Sequence, residues 1–139
     1  MSNAEDYSAL YTGSCLCGAI QFQVTTELGP IEVCYCQMCR KAQGGPLATN
    51  ASVEASAVKV TQGQQLLTAY ESSPGEQRLF CRRCGSPIYS KRTDRPQIVR
   101  VRVGAINESL NVRPRAHYYT ASKCNWWKIE DKLPQFPTE

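Results

Sequence analysis

Eight cysteines in a chain of 139 residues fall into three clusters and a singleton: Cys15 with Cys17, Cys34 with Cys36 and Cys39, Cys81 with Cys84, and Cys124. A disulfide inside Cys-x-Cys or Cys-x-x-Cys closes a tiny, strained loop and staples little of a fold. Metal ligation suits these spacings better. In an extended strand, residues two apart project to one face, so Cys15 and Cys17 are expected to offer two sulfurs to one ion. The stretch FCRRCGSPIY has the form of a zinc knuckle, with Gly85 permitting a tight turn that aims backbone N–H groups at the thiolates. Two such pairs complete a closed four-thiolate site, coordinatively saturated and structural.

The middle cluster, CYCQMCRK, differs. Three cysteines within six residues can wrap one ion from a single loop and leave its fourth vertex for something else, the mark of a catalytic or ligand-binding zinc. Three thiolates give divalent zinc a net negative charge and make it a weak Lewis acid. It lowers the pKa of water less well than zinc on three neutral imidazoles. It is matched instead to a soft ligand, and a thiol held there loses its proton and becomes a nucleophile. Arg40 and Lys41 follow directly and are candidates to hold the carboxylates of a peptide thiol, with solvated surface charge as their plain alternative. Spacing leaves the pairing of clusters open. A four-plus-three partition is the economical one, with Cys124 and His117 both available as a further ligand.

The elements that must position these sulfurs are short strands. Ile20, Phe22 and Val24 alternate with polar residues directly after the first cysteines. Residues 57–61 and 66–70 read as a hairpin around Gln62-Gly63-Gln64. Residues 78–80 run into Cys81, residues 87–91 run out of the second pair, and 116–120 are a further candidate. Val99, Val101 and Val103 alternate with Arg100 and Arg102, the clearest two-residue period in the chain. Helical signal is confined to single turns at 37–42 and 128–132. The pattern predicts a mostly antiparallel β fold in one domain, residues 1–139, with very little helix.

The charge balance is mild, 16 Lys and Arg against 12 Asp and Glu. It does not call for nucleic acid, although a basic face of Arg100, Arg102, Arg113 and Arg115 beside Tyr118, Tyr119, Trp126 and Trp127 is the place where a single strand could bind. Those aromatics are read first as core and sheet-edge packing. The N-terminus is acidic and polar, unlike a secretory signal, and no apolar run approaches the roughly 18 residues that span a bilayer. A reducing cytoplasm is the expected compartment. His117, the only histidine, reads as a half-buried strand residue with one hydrogen bond, and Cys124 as a buried apolar side chain.

The motifs GSCLCGAIQF, CYCQMCRKAQG, FCRRCGSPIY and RPRAHYYTASKCNWWKIEDKLPQF, in this order, resemble the glutathione-dependent formaldehyde-activating enzymes, a family that also holds proteins similar to centromere protein V. The likeness spans about residues 11–137. It implies stacked and curled antiparallel sheets stabilised by zinc. It implies a structural zinc on Cys15, Cys17, Cys81 and Cys84, and a second zinc on Cys34, Cys36 and Cys39 at the reaction centre. The implied activity is that of a carbon–sulfur lyase joining formaldehyde to the thiol of glutathione. Tyr35 stands where histidine is frequent in the family, and its phenol, with an unperturbed pKa near 10, is a poorer proton shuttle at pH 7. Tyr35 and His117 are the residues that could move protons. The other reading of the motifs is a non-catalytic, zinc-stabilised module binding nucleic acid or protein.

Overall fold

A computed structural model describes residues 9–139. In chain order the elements are β1 (Tyr11–Ser14), β2 (Gln21–Val24), β3 (Ile31–Cys34), α1 (Gln37–Gln43), β4 (Ala48–Glu54), β5 (Val58–Gln62), β6 (Leu67–Ser73), β7 (Glu76–Cys81), β8 (Pro87–Arg92), β9 (Ile98–Arg102), β10 (Pro114–Tyr118) and β11 (Gln135–Phe136). They form two sheets, a small one ordered β1-β2-β5 and a large one ordered β11-β10-β3-β4-β9-β8-β7-β6. Among the described residues no helix is long and apolar enough to cross a membrane.

The pairing is antiparallel except at one edge, where β10 runs parallel to both β3 and β11. The expected hairpin across 57–70 does not form. β5 pairs with β2 in the small sheet, while β6 pairs with β7 in the large one. Gly63, with φ 80°, does reverse the chain. Each flanking strand, however, finds a partner elsewhere, because pairing follows burial of the apolar face and not the local turn. Residues 128–132 are not helical.

Period-two alternation splits the large sheet into two unlike faces. Ala51 and Val53 of β4, Ile88 of β8, and Val99 and Val101 of β9 point to one side, where they share a core with Tyr11, Ile20, Phe22 and Val24 from the small sheet and its flanks. The opposite side carries Cys34, Asn50, Ser52, Arg78, Ser90, Arg100 and Arg102, placed in one band by registers such as Asn50–Arg102, Ser52–Arg100 and Ser90–Arg100. α1 lies against β4. Asn50, Ser90 and Arg102 are all under 5% exposed despite their polarity.

Phe22 explains the glycine that precedes the first cysteines. Gly13 is its partner across β1 and β2, and a Cβ on Gly13 would stand 2.1 Å from the ring of Phe22. The ring is 1% exposed and cannot swing away. Gly13→Ala is therefore expected to cost about 1–3 kcal/mol through overpacking, read as a lower midpoint in urea with an unchanged slope. An unchanged midpoint would show that the ring is not fixed where β1 and β2 place it.

Candidate metal centres and the cavity beside them

Cys15, Cys17, Cys81 and Cys84 bring their sulfurs within 4.8 Å of one another. The separations are 3.6 Å for Cys15–Cys17 and 4.0 Å for Cys17–Cys81, close to the edge of about 3.8 Å that a tetrahedron with metal–sulfur bonds near 2.3 Å requires. Cys15 and Cys17 meet in a turn after β1, not along an extended strand as their spacing suggested. The N–H of Gly18 closes that turn on the carbonyl of Cys15 at 3.0 Å, and the N–H of Ile20 donates to Cys15 Sγ at 3.2 Å. The second knuckle is built the same way. Gly85, at φ 82°, donates its N–H to the carbonyl of Cys81 at 2.7 Å. Ser86 links the two knuckles, its Oγ accepting from the N–H of Leu16 at 2.8 Å and lying 3.2 Å from Cys84 Sγ. The Ser86 hydroxyl holds the Cys84 thiol down to about 5, ready to ligate.

Cys34, Cys36 and Cys39 form the second group. Cys34 ends β3, and Cys36 caps α1, its sulfur accepting from the N–H of Cys39 at 3.3 Å. Arg78 of β7 reaches across the sheet, with Nη1 and Nη2 at 3.8 and 3.7 Å from Cys39 Sγ. Hydrogen bonds from Cys34 and Cys36, and then this guanidinium, hold Cys39 well below the usual thiol range, while the bonds to Cys36 and Cys39, and then burial, push Cys34 up. Among the described residues no fourth ligand joins the three. His117 has both ring nitrogens engaged, and Cys124 lies outside both clusters. Cys124 is half-buried, more open than a core side chain. Each group could hold a metal ion, the first with four sulfurs and the second with three.

One member of the group, Cys34, lines a cavity of about 430 Å³ together with Glu32, Glu76, Arg92, Arg95 and Arg100, while Cys36 and Cys39 do not border it. Both signs of charge are present, and some are already paired: Glu32 with Arg100 at 3.5 Å and with Arg115 at 2.6 Å, Arg92 with Glu76 at 3.4 Å. Tyr119 also lines it and has φ 57°, the one positive φ outside glycine among the described residues. Such a conformation costs a non-glycine residue of order 1 kcal/mol and gathers at ligand sites. Arg40 and Lys41 sit on α1 and do not line this cavity. Lys41 faces solvent, and Arg40 Nε is buried without a partner.

Tyr35 and His117 line a different cavity, with Val33, Leu47, Trp127 and Asp131, and none of the clustered cysteines borders it. Alternation along β3 sends Tyr35 to the face opposite Cys34. Asp131 accepts from His117 Nε2 at 2.9 Å, and His117 Nδ1 lies 2.9 Å from Tyr35 Oη. In the neutral ring Nδ1 accepts from the phenol, so one tautomer satisfies the whole chain. Burial pushes the Tyr35 phenol up. His117 thus makes two hydrogen bonds, where one was expected, and ties the tail to the loop between Cys34 and Cys36. Asp131 lies within the tail motif, 14 residues beyond its partner, a separation at which no local pattern marks the pairing.

The proposed basic face does not assemble. Arg102 is buried at 4% exposure, Arg100 and Arg115 both pair with Glu32, and Arg113 donates to the carbonyls of Leu110 and Val112. Trp126 and Trp127 are 66% and 41% exposed and so are not core residues, whereas Tyr118 stacks on Phe136. Of the arginines on the cysteine face, Arg78 gave no sequence signal as a site residue, and Arg102 entered only through the candidate basic face, since alternation with valine normally marks a solvated side.

Comparison with known proteins agrees with the cysteine pattern. The family model described as glutathione-dependent formaldehyde-activating enzyme matches residues 10–122. A protein of Halomonas elongata that carries the same name provisionally is 36% identical over 132 residues, covering 88% of this chain and 83% of its own. An uncharacterized lyase of Schizosaccharomyces pombe is 29% identical over 84 residues, 60% of this chain and 59% of its own. A crystal structure of a Rhodobacter sphaeroides protein aligns with a TM-score of 0.60 at 27% identity, covering 74% of this chain and 98% of that one.

Asp131 gives the tail a pH signature. The N–H of His117 and then the backbone N–H of Leu133 hold its carboxyl below the usual carboxylate range. A group depressed in the folded state contributes stability above its unfolded value, near pH 4, and loses it as pH falls through its folded value. Asp131→Asn is expected to lower the melting temperature near neutral pH and to flatten its decline in acid. Parallel acid limbs for the two proteins would show that this carboxylate does not anchor the tail.

Proposed function

The chain belongs to the glutathione-dependent formaldehyde-activating enzyme family, and from that premise we propose that it is a zinc-dependent enzyme of carbon–sulfur lyase type. Its substrates are a small peptide thiol such as glutathione and formaldehyde. The observation that carries this reading is a three-cysteine group, one member of which, Cys34, lines a cavity carrying both signs of charge. A glutathione-type thiol bears carboxylates and an ammonium group, so a lining of mixed sign suits it better than a purely basic one.

The closed group, Cys15, Cys17, Cys81 and Cys84, holds a structural zinc, and Cys34, Cys36 and Cys39 hold the working one. When bound there, zinc supplies a vertex at which a substrate thiol loses its proton at neutral pH. The reaction is an addition: the sulfur lone pair forms a carbon–sulfur bond to formaldehyde, the carbonyl π electrons move to oxygen, and the proton released by the thiol ends there, giving an S-hydroxymethyl adduct. Arg100 and Arg92 orient carboxylates, and Glu32 and Glu76 receive the ammonium group. Arg40 and Lys41, away from this lining, act at most on the outer approach. Tyr35 and His117 are positioning residues. The buried phenol fixes the loop between two cysteine ligands, and a raised pKa suits it to holding a hydrogen bond and not to passing protons at pH 7.

Carbon-13 exchange spectroscopy of formaldehyde mixed with glutathione reads the rate of adduct formation directly. Zinc-loaded protein is expected to accelerate that exchange, and Cys36→Ser to abolish the acceleration while keeping a cooperative melt. Cys81→Ser is expected to abolish the melt itself, because structural zinc contributes roughly 10 kcal/mol or more, as much as a domain's whole stability. No acceleration by the wild-type protein with any small thiol would overturn the assignment.

A further inference from the structure

On its polar face the large sheet buries a positive charge with which none of its described carboxylates pairs. Arg102 is 4% exposed. Its Nη1 donates to Asn50 Oδ1, to Ser90 Oγ at 3.3 Å and to the carbonyl of Arg100 at 3.3 Å, all of them neutral. Its Nε is buried with no partner, and none of the described acidic side chains pairs with it. A desolvated guanidinium without an anion is strongly unfavourable, and arginine does not escape by losing its proton.

A second cation stands beside it. Arg78 is the register partner of Ser90, the residue to which Arg102 donates. Arg78 Nε donates to Ser72 Oγ at 3.0 Å, while its two terminal nitrogens face Cys39 Sγ. It too pairs with none of the described carboxylates, and Glu76, two residues away on β7, is taken by Arg92. Two arginines on one face, one of them 4% exposed, thus stand together: Arg78 touches Cys39, and Arg102 bonds Ser90 beside it and feels the charge of Cys39.

We propose that Arg78 and Arg102 are the counter-charge of the three-thiolate centre, and that they select an anionic thiolate as its fourth ligand. Three thiolates on a divalent ion carry one net negative charge, which by itself repels an incoming anion. Two adjacent cations reverse that sign, so a thiolate enters a site of net positive charge and leaves it neutral. Both arginines are positioning residues. Arg78 hydrogen-bonds a ligand sulfur, and Arg102 acts through the field of a desolvated charge. The proposal rests on the metal reading of Cys34, Cys36 and Cys39 but not on formaldehyde as co-substrate.

The test uses full-length zinc-loaded protein titrated with a chromogenic chelator, which draws first on the three-cysteine site. Arg78→Gln and Arg102→Met are expected to release this zinc roughly 10–100-fold more readily than wild type. Arg78→Lys and Arg102→Lys, which restore charge, should recover part of the loss. In the cobalt-substituted proteins, the change in visible absorption on adding glutathione should need higher thiol concentrations in the two uncharged variants. After chelation Arg102→Met should melt no lower than chelated wild type, since a charge deprived of its anion is gone. Unchanged zinc release in both uncharged variants, or equal destabilisation of Arg102→Met with and without metal, would overturn the proposal. Should Arg102→Met fail to fold, Arg78→Gln decides alone. Wild-type protein that binds no metal at this site would sink the proposal together with the reading beneath it. Normal zinc effects without any formaldehyde chemistry would sink only the assigned reaction.

Discussion

Four sulfurs from two distant parts of the chain meet where the small sheet joins the large one. Cys15 and Cys17 follow β1 of the small sheet, and Cys81 and Cys84 close β7 of the large one. Cysteine sulfurs held 3.6–4.0 Å apart repel once they ionise, so the junction is stable as an anionic cluster only with a cation inside it. Almost every other feature depends on that junction. It sets the small sheet over the core of Val99, Val101 and Ile88, and it terminates β7 so that Arg78 lies across from Cys39. Hydrophobic burial then makes the pairing cooperative, with the ring of Phe22 filling the space that a Cβ on Gly13 would need.

The large sheet shows how a domain of this size can support a charged site without a helical layer. One face is aliphatic and carries the fold. The other is polar, with Asn50, Ser90 and Arg102 almost fully covered. Buried polar groups are costly unless satisfied, and here the satisfaction is partial among protein atoms. Mixed charge and the strained backbone of Tyr119 share a cavity lining with Cys34, and on the same face of the sheet Arg102 keeps an orphaned guanidinium nitrogen. Departures from good local packing gather at functional sites. The tail adds a separate restraint: Asp131, His117 and Tyr35 link residues near the C-terminus to the loop that presents two of the three cysteines.

The cysteine groups were legible because ligand spacing is local chemistry that tertiary context rarely rewrites. Strands β2 and β9 were legible from period-two alternation, and β7 and β8 as the segments that run into and out of the second cysteine pair. What alternation could not show was which polar side faces water. Arg100 and Arg102 look equivalent in sequence, yet Arg100 lines the cavity beside Cys34 while Arg102 is 4% exposed and bonded to Asn50 and Ser90. The hairpin expected at Gly63 failed because a turn signal fixes a reversal and not a partner. The parallel pairing of β10 with β3 joins segments more than eighty residues apart, beyond any local pattern. Trp126 and Trp127, apolar by type, stay exposed because the chain at 123–134 runs outside the sheets.

The central claim is that one cysteine group is closed and the other open toward a thiol. Zinc X-ray absorption on the fully loaded protein counts sulfur neighbours directly. Without substrate the average shell is expected to be all sulfur except for a minority of one lighter neighbour, contributed by the Cys34, Cys36 and Cys39 site. Glutathione should replace that light atom with sulfur and leave an all-sulfur shell. An all-sulfur shell before any thiol is added, or a mixed shell that glutathione leaves unchanged, would contradict the account.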